Sequence, residues 1–588
     1  MSVRARSRTT LADSKLRSGS SPFFTVRLLL GVARFAESYG WLLFAAISLG
    51  CGWGYLNNLA SRHLDHDELF TFYIAQAPNL RQLFKLTHTI DLHPPLSYLL
   101  VRASFAIFGV SSWSCRLPFL LAYFVAAALL FFLLSRLLSP IYALIATLFL
   151  WSTPLARLSN EARPYSMLLC FATLMFVSWY QAAEGDGLTG RRWSLVTVVA
   201  GGFGLLLSHV LGLLAYAAFF GAELLRLWIR RKPDWRLWVA LSVPLISVLA
   251  YLPLIRNRST MLFAEEFRVT PLRLASFYWE SIRYLLTPLA VIALVALLWP
   301  LSRKQTLASL PANPRTIWAP LGFLLASLSF VPLATGILFA RNGTAFFDRY
   351  GIVWLIPLAT VPAIILSYRT QHDRLAGTAV ALLSVTLFFF NASGKPWLVE
   401  QLSSLVPARA AARVLYVLAL PPIIPTHNPP VPSYLRAELA TALQVSNLDS
   451  VAPELPLVAN TGLTFLELDR QERAPVAQRL YLLTDEEAAA AIAHDNVFAH
   501  YELVKEAFPI RGKVEPYCKF ISAHPRFVVV GAYDNPQGWL LRKLEQDGAK
   551  LRVIGTCRGN TEDCQIYEIS VRRGQCQSPG EPYKTIVK

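Results

Sequence analysis

Long apolar runs recur from about residue 40 and stop near residue 391, and between them lie short polar segments. A helix needs roughly 18–25 apolar residues to cross the hydrocarbon of a bilayer. About eleven stretches meet that requirement: 40–59, 116–135, 141–158, 165–183, 194–208, 210–228, 237–255, 284–301, 317–340, 350–367 and 375–391. The fifth and sixth are almost continuous, so the count can shift by one or two. Ser97–Gly109, between the first two spans, is amphipathic, short and broken. Phe23–Ala33 follows a basic, Ser-rich leader without a small-residue cleavage site, so residues 1–22 read as a tail and 23–36 as an interfacial helix, together forming a unit over 1–37.

Beyond residue 400 the period changes. Short β-type runs (Leu455–Ala459, Leu480–Thr484, Phe527–Val530, Leu551–Ile554) alternate with helical patterns (Tyr434–Leu443, Glu486–His494, Trp539–Gly548). The fold class predicted is a polytopic all-α membrane domain over 38–391, a Pro-rich linker over 392–432 and a soluble α/β domain over 433–588.

Composition agrees with a bilayer as the main solvent: 588 residues, 54% hydrophobic, 16% charged, mean hydropathy +0.42. The net charge of +18 raises the question of nucleic acid, but its placement answers it. Arg4, Arg6, Lys15, Arg17 and Arg27 precede the first span, and basic residues recur in alternate loops, at Arg136, Arg191–Arg192, Arg230–Lys232 and Arg236, Arg303–Lys304 and Arg315, and Arg369 and Arg374. That is the positive-inside pattern. It puts the N-terminus and those loops in the cytoplasm, with membrane lipids and not nucleic acid as partners. The outer segments are then 60–115, 159–164, the link near 209, 256–283, 341–349 and everything after about 392. Four of the seven cysteines (Cys518, Cys557, Cys564, Cys576) fall in the outer C-terminal part, which suits disulfides; Cys557 and Cys564 are placed to close a hairpin. Their spacing is not that of a zinc ribbon.

The unusual polar chemistry lies in those outer segments. The first loop, 60–115, holds Asp65, Asp67 and Glu68, then Asp91-Leu92-His93-Pro94-Pro95-Leu96, where two prolines would hold Asp91 and His93 rigidly. Glu161 and Arg163 stand at the mouth of two spans, where a charge is expensive unless paired or hydrated. His209 lies between two apolar runs, and Arg349 and Tyr350 open a later span. Acidic residues also solvate outer loops, and Glu161 with Arg163 also reads as a structural pair. Converging on one membrane face, however, these groups suit a substrate with an apolar tail and an interfacial phosphate. A carboxylate would activate the acceptor and arginines would take the phosphate. The carboxylates would also permit a divalent metal ion, with Asp67 and Glu68 as its ligands if one binds. A transporter or flippase of a lipid-linked saccharide is the alternative, but it calls for charges inside the spans, and Glu223 and Arg226 are the ones well inside, near a cytoplasmic end.

Asp67-Glu68, Asp91-Leu92-His93-Pro94-Pro95-Leu96, Glu161-Ala162-Arg163-Pro164-Tyr165 and Asp348-Arg349-Tyr350, in this order, resemble the signatures of the dolichyl-phosphate-mannose protein mannosyltransferases and their bacterial relatives, the GT-C glycosyltransferases that use polyprenyl-phosphate sugars; the lipid A aminoarabinose transferases are a more distant likeness. The resemblance covers roughly 38–391. It implies hexosyl or pentosyl transfer from a polyprenyl-phosphate sugar to a lipid, glycan or protein acceptor, on the outer face of the bacterial inner membrane. By the same resemblance Asp67 is the catalytic carboxylate and Glu68 its partner in positioning or metal binding. Asp91, His93, Glu161, Arg163, His209, Arg349 and Tyr350 contact the substrate or the lipid phosphate.

Overall fold

The computed structural model describes residues 22–91, 93–184, 188–249, 268–298, 314–342, 345–370, 373, 375–383, 431–442, 444–445, 448–494, 505, 508–557 and 565–572. Apolar runs in a bilayer must satisfy their own backbone groups, and a helix does so within one segment. The first half is accordingly helical: α1 (Pro22–Ser38), α2 (Gly40–Ser61), α3 (His66–Ala75), α4 (Leu80–Leu86), α5 (Leu96–Phe108), α6 (Ser112–Leu137), α7 (Pro140–Trp151), α8 (Tyr165–Glu184), α9 (Leu188–Ser208), α10 (Gly212–Arg230) and α11 (Trp235–Ser242). Further helices run over Pro271–Ile282, Leu286–Leu298, Pro314–Asn342 and Leu355–Arg369. Outward-facing Leu121, Val125, Trp228 and Leu297 are about half or more exposed, the apolar exterior a bundle presents to lipid.

The chain is a multi-pass membrane protein. Among the described residues, Ser112–Leu137, Tyr165–Glu184, Gly212–Arg230, Thr316–Arg341 and Asp348–Arg369 are long and apolar enough to cross a bilayer. Gly40–Gly50, Leu96–Phe108, Trp235–Leu249 and Pro288–Leu298 are shorter apolar helices. Among the described residues, length and composition therefore support five crossings, or six with one bent pair, where hydropathy along the sequence predicts about eleven; parts of the expected spans 237–255, 284–301 and 375–391 lie outside the described residues. The third expected span, 141–158, is broken. α7 stops at Trp151, and a 3-10 segment, Pro154–Asn160, leaves at 78° to it. Pro154 has no N–H to donate and its ring excludes a preceding helical turn. The bend carries Asn160–Arg163 beneath α3, where Arg62 reaches the Asn160 carbonyl at 3.1 Å.

The charges inside the spans are internally paired. Arg226 lies 3.3 Å from Glu223 and 3.0 Å from Asp234, Trp179 Nε1 donates to Glu223 at 3.3 Å, and Arg191 pairs with Asp234. This network is some 21 Å along α8 from Tyr165, at 1.5 Å per residue.

The C-terminal part carries a seven-stranded sheet in the order β1-β6-β7-β5-β2-β3-β4, with β1 (Gln444–Val445), β2 (Leu457–Ala459), β3 (Leu480–Thr484), β4 (Lys513–Pro516), β5 (Arg526–Val530), β6 (Lys550–Cys557) and β7 (Gln565–Ser570). β4, β3, β2 and β5 are parallel, and β7 runs antiparallel to both β5 and β6. The buried β2, β3 and β5 read as continuous apolar runs, as strands covered on both faces do. Strand order reverses between β2 and β5, the switch point where doubly wound sheets usually take ligands. Asn460 stands there: its Nδ2 donates to the Ala532 carbonyl at 2.8 Å and its Oδ1 accepts from Leu541 N at 3.3 Å. One apolar cluster fills the helical bundle. A second runs from Leu69, Phe72 and Tyr73 of α3 into Leu457, Phe465 and Phe508 of the sheet domain, so the two parts share a core. Cys518 is disulfide-bonded; Cys564, half of the expected Cys557–Cys564 link, lies outside the described residues, as do 1–21 of the expected tail and 392–430 of the expected linker.

Candidate active site

The site is built outward from α3. Asp65 takes the N-cap position with extended backbone, so the first turn presents Asp67 and Glu68. Glu68 is 1% exposed and both its oxygens are fully engaged. Oε1 accepts from Arg116 Nε and Ala162 N, each at 2.8 Å, while Oε2 accepts from Arg116 Nη2 at 2.6 Å and from Arg62 Nη2 and Asp65 N at 3.0 Å. Arg116, wholly buried, gives its remaining N–H groups to the carbonyls of Leu59, Arg62 and His63 at and just beyond the end of α2. A carboxylate offers about four lone-pair directions, so Glu68 has none left for a substrate or a metal ion. The geometry casts it as the anchor that fixes α3 to α2, α6 and the 160–163 turn.

Asp67, one residue earlier, points the other way. Its carboxylate pairs with Arg349 at 2.6 Å, and both side chains keep about a quarter of their surface in solvent. Below it Arg163 grips Asp91 with two N–H groups, at 2.6 and 3.1 Å, and reaches the Asp67 carbonyl at 3.1 Å. Tyr98 donates to Asp91 Oδ2 at 2.5 Å. Burial alone would push the Asp91 carboxyl up, but Arg163 and His93 more than reverse it and hold it well below the usual carboxylate range. Asp91 is thus a fixed anion that orients Arg163.

Pro94 and Pro95 end the irregular segment, and α5 starts at Leu96. They leave His93 turned inward, 4% exposed, with Nδ1 2.6 Å from the Asp91 carbonyl. A carbonyl only accepts, so Nδ1 carries a proton and the neutral ring's lone pair is on Nε2. The His209 ring centre lies 5.0 Å from that of His93, 5.4 Å from Tyr165 and 6.0 Å from Tyr350. His209 sits at the break between α9 and α10, where its Nδ1 accepts from Leu211 N at 3.0 Å. Arg349 lies over the Tyr165 and Phe347 rings, at 5.6 and 4.6 Å.

All the expected site residues therefore stand at one end of the bundle, drawn from α3, the 91–95 segment, the 160–165 turn, the α9–α10 break and the segment before Leu355. Arg116, Arg62, Tyr98 and Tyr165 were not among them. Arg116 carried a readable signal, a charge at the first position of an apolar run, which is tolerated only with a partner. A divalent ion does not fit Asp67 and Glu68: guanidinium groups already hold Asp67 and Glu68, and among the described residues no three His, Cys, Asp or Glu side chains cluster as ligands.

Glu161 completes the outer rim. Burial pushes its carboxyl above the ordinary value, opposed by Arg157 and Arg349. A raised folded-state pKa means the native protein binds more protons than the unfolded chain, so this group costs stability as pH rises from about 4 through the folded pKa. Glu161→Gln removes that dependence. Its thermal midpoint relative to wild type is expected to rise with pH across that window and then level off, read from detergent-solution melts at a series of pH values; a difference independent of pH would show that Glu161 is not desolvated.

Residues 92–255 match the family model for dolichyl-phosphate-mannose-protein mannosyltransferase. That segment carries His93, Glu161, Arg163 and His209 but not Asp67, Glu68, Arg349 or Tyr350. No curated protein matches the chain. Two crystal structures of ArnT from Cupriavidus metallidurans are similar to it. The form bound to undecaprenyl phosphate is 13% identical with a TM-score of 0.47, and the apo form is 15% identical with a TM-score of 0.39; each alignment covers 92% of this chain and 99% of the other. Over residues 92–255 the chain resembles the dolichyl-phosphate-mannose-protein mannosyltransferase family, and it is a helical membrane protein with a C-terminal sheet domain.

Proposed function

We propose that this protein is a glycosyltransferase that moves a hexosyl or pentosyl group from a polyprenyl monophosphate to an acceptor at the outer face of a bacterial inner membrane, inverting the anomeric carbon. The observation that carries the reading is the 2.6 Å Asp67–Arg349 pair standing over the buried Asp91–Arg163–His93 group. It joins a proton acceptor to a cation with the geometry to take phosphate, at the end of an apolar bundle that can hold a polyprenyl tail.

In the reaction the acceptor hydroxyl oxygen forms a bond to the anomeric carbon while the bond from that carbon to the phosphate oxygen breaks. The proton passes to Asp67, and the electron pair leaves with polyprenyl phosphate. Arg349 binds that phosphate, and in doing so releases Asp67 from its ion pair to act as base. His93 and Tyr350 line the phosphate's place, Arg163 and Asp91 hold the floor, and Glu161 contacts the sugar or acceptor. The outer placement is supported by the basic residues of the alternate loops and by the Cys518 disulfide, a bond of oxidising compartments. A carrier reading has less support, because Glu223 is locked to Arg226, which is itself locked to Asp234.

The deciding experiment gives purified protein a radiolabelled polyprenyl-phosphate sugar with lipid, glycan and protein acceptors. Acceptor-dependent release of polyprenyl phosphate is expected; no release with any acceptor would defeat the proposal. Arg349→Ala should lower kcat/KM about 10- to 100-fold, the equivalent of losing one or two charged hydrogen bonds of roughly 1.5–3 kcal/mol in total. Most of the loss should appear as a raised KM for the donor. Arg349→Lys keeps the charge but not the fork, and should recover only part.

A further inference from the structure

The C-terminal domain holds Asn460 by two hydrogen bonds where its strand order reverses, and it also grips the helix that carries Asp67. Helix α3 is ten residues long, too short to hold its shape in isolation. Arg116 fixes its first turn through Glu68, and Arg102 binds the carbonyls of Ala75 and Ala77 at its end. One side packs on the bundle through Phe72 and Phe105, with ring centres 5.5 Å apart. The remaining side belongs to the sheet domain. Phe508 stacks on Tyr73 at 4.9 Å and meets Phe70 edge-on at 5.9 Å, and the Arg470 guanidinium lies 4.9 Å over the Phe72 ring.

The segment that delivers Phe508 is itself built for the purpose. Asp469, 1% exposed, sits near the end of the helix Gly462–Gln471 and accepts from the backbone N–H of Arg511 at 3.0 Å and Gly512 at 2.7 Å. A Cβ on Gly512 would come within 2.8 Å of the Phe465 ring and 3.1 Å of the Leu480 carbonyl, so only glycine lets the segment lie this close to the domain. A continuous chain of contact thus runs from Asp469 through residues 508–512 to Tyr73 and Phe70, one to two turns from Asp67.

We propose that the C-terminal domain is a positioning element of the catalytic site, with Phe508 and Arg470 holding α3 so that Asp67 stays against Arg349. The catalytic half of this inference rests on the glycosyltransferase reading; the mechanical half does not. The test therefore uses two readouts on the full-length protein: amide exchange of residues 66–76 by mass spectrometry, and steady-state transfer from a radiolabelled polyprenyl-phosphate sugar, normalised to folded enzyme. Phe508→Ala should speed exchange in 66–76 about tenfold. It should lower kcat about tenfold with donor KM within about twofold, because the phosphate contacts come from other elements. Phe508→Tyr should restore both.

Leu544→Ala, in the apolar cluster on the opposite face of the sheet, is the control for general loosening of the domain. It should lower the melting temperature yet leave α3 exchange and kcat per folded molecule as in wild type. Unchanged α3 exchange in Phe508→Ala overturns the proposal, as does increased exchange with an unchanged kcat, or a Leu544→Ala variant that matches Phe508→Ala in both readouts. If wild type transfers no sugar, the glycosyltransferase reading fails by itself, and the exchange data still decide whether the domain clamps α3.

Discussion

Asp67→Asn is expected to reduce kcat by about 10²- to 10⁴-fold, the range that a positioned general base contributes. The isosteric amide keeps the side chain's shape and its place in the first turn of α3, so the fold and the Glu68 anchor should survive. Donor affinity should move the other way. In wild type the Asp67 carboxylate occupies Arg349 at 2.6 Å, and any phosphate must compete with it. Asparagine withdraws that competition, so the donor should bind as tightly as in wild type or tighter while chemistry nearly stops. A fall in kcat with an equal donor KM is the pattern of an interaction needed only in the transition state, and a lower KM adds the release of Arg349 from its competing ground-state pair. Single-turnover transfer together with equilibrium binding of the labelled donor separates the two effects. Transfer at the normal rate would remove Asp67 from the mechanism. A large loss of donor binding would recast it as a substrate contact.

Much of this site was legible along the chain because a polar group at the edge of a bilayer is costly and stands out against its surroundings. Asp67, His93 and Arg349 are visible on that ground, and the Asp91–Pro95 run tells its own story: two prolines fix a turn whose polar residues then have one direction to face. What escaped the sequence is pairing. Asp67 and Glu68 are adjacent and chemically alike, but a helix turns about 100° per residue, and that rotation sends one to Arg349 and the other to Arg116. Hydropathy averaged over a window also hides Pro154, so the third apolar run looks continuous although it bends by 78°. Without that bend Ala162 would not reach Glu68. The strands of the C-terminal domain were readable from their apolar runs, whereas the contact of Phe508 with Tyr73 depends on how two separate units meet, which no local pattern encodes.

The anchor beneath Asp67 gives the second large effect, and it should appear in stability before catalysis. Glu68→Gln leaves Arg116 buried without its counter-charge, and Arg116→Met leaves Glu68 likewise; breaking a buried pair from one side costs about 3–5 kcal/mol. The two single variants should not be equal. Arg116 also holds the carbonyls of Leu59, Arg62 and His63, so its loss strands backbone acceptors as well as a carboxylate. Glu68→Gln retains a carbonyl oxygen for Ala162 N and leaves the bonds of Arg116 to those three carbonyls in place. Arg116→Met should therefore be the more destabilising. The double variant should recover part of the loss, because no unpaired charge is left buried, and the coupling in such a cycle measures the pair itself. The measurement is thermal unfolding in detergent combined with amide exchange over 62–76 and 158–163, the segments that Glu68 ties together. Additive losses in the double variant would mean that Glu68 and Arg116 act independently. Activity should then follow geometry: Glu68→Gln that remains folded should lose less kcat than Asp67→Asn, since Glu68 holds the helix and Asp67 meets the acceptor.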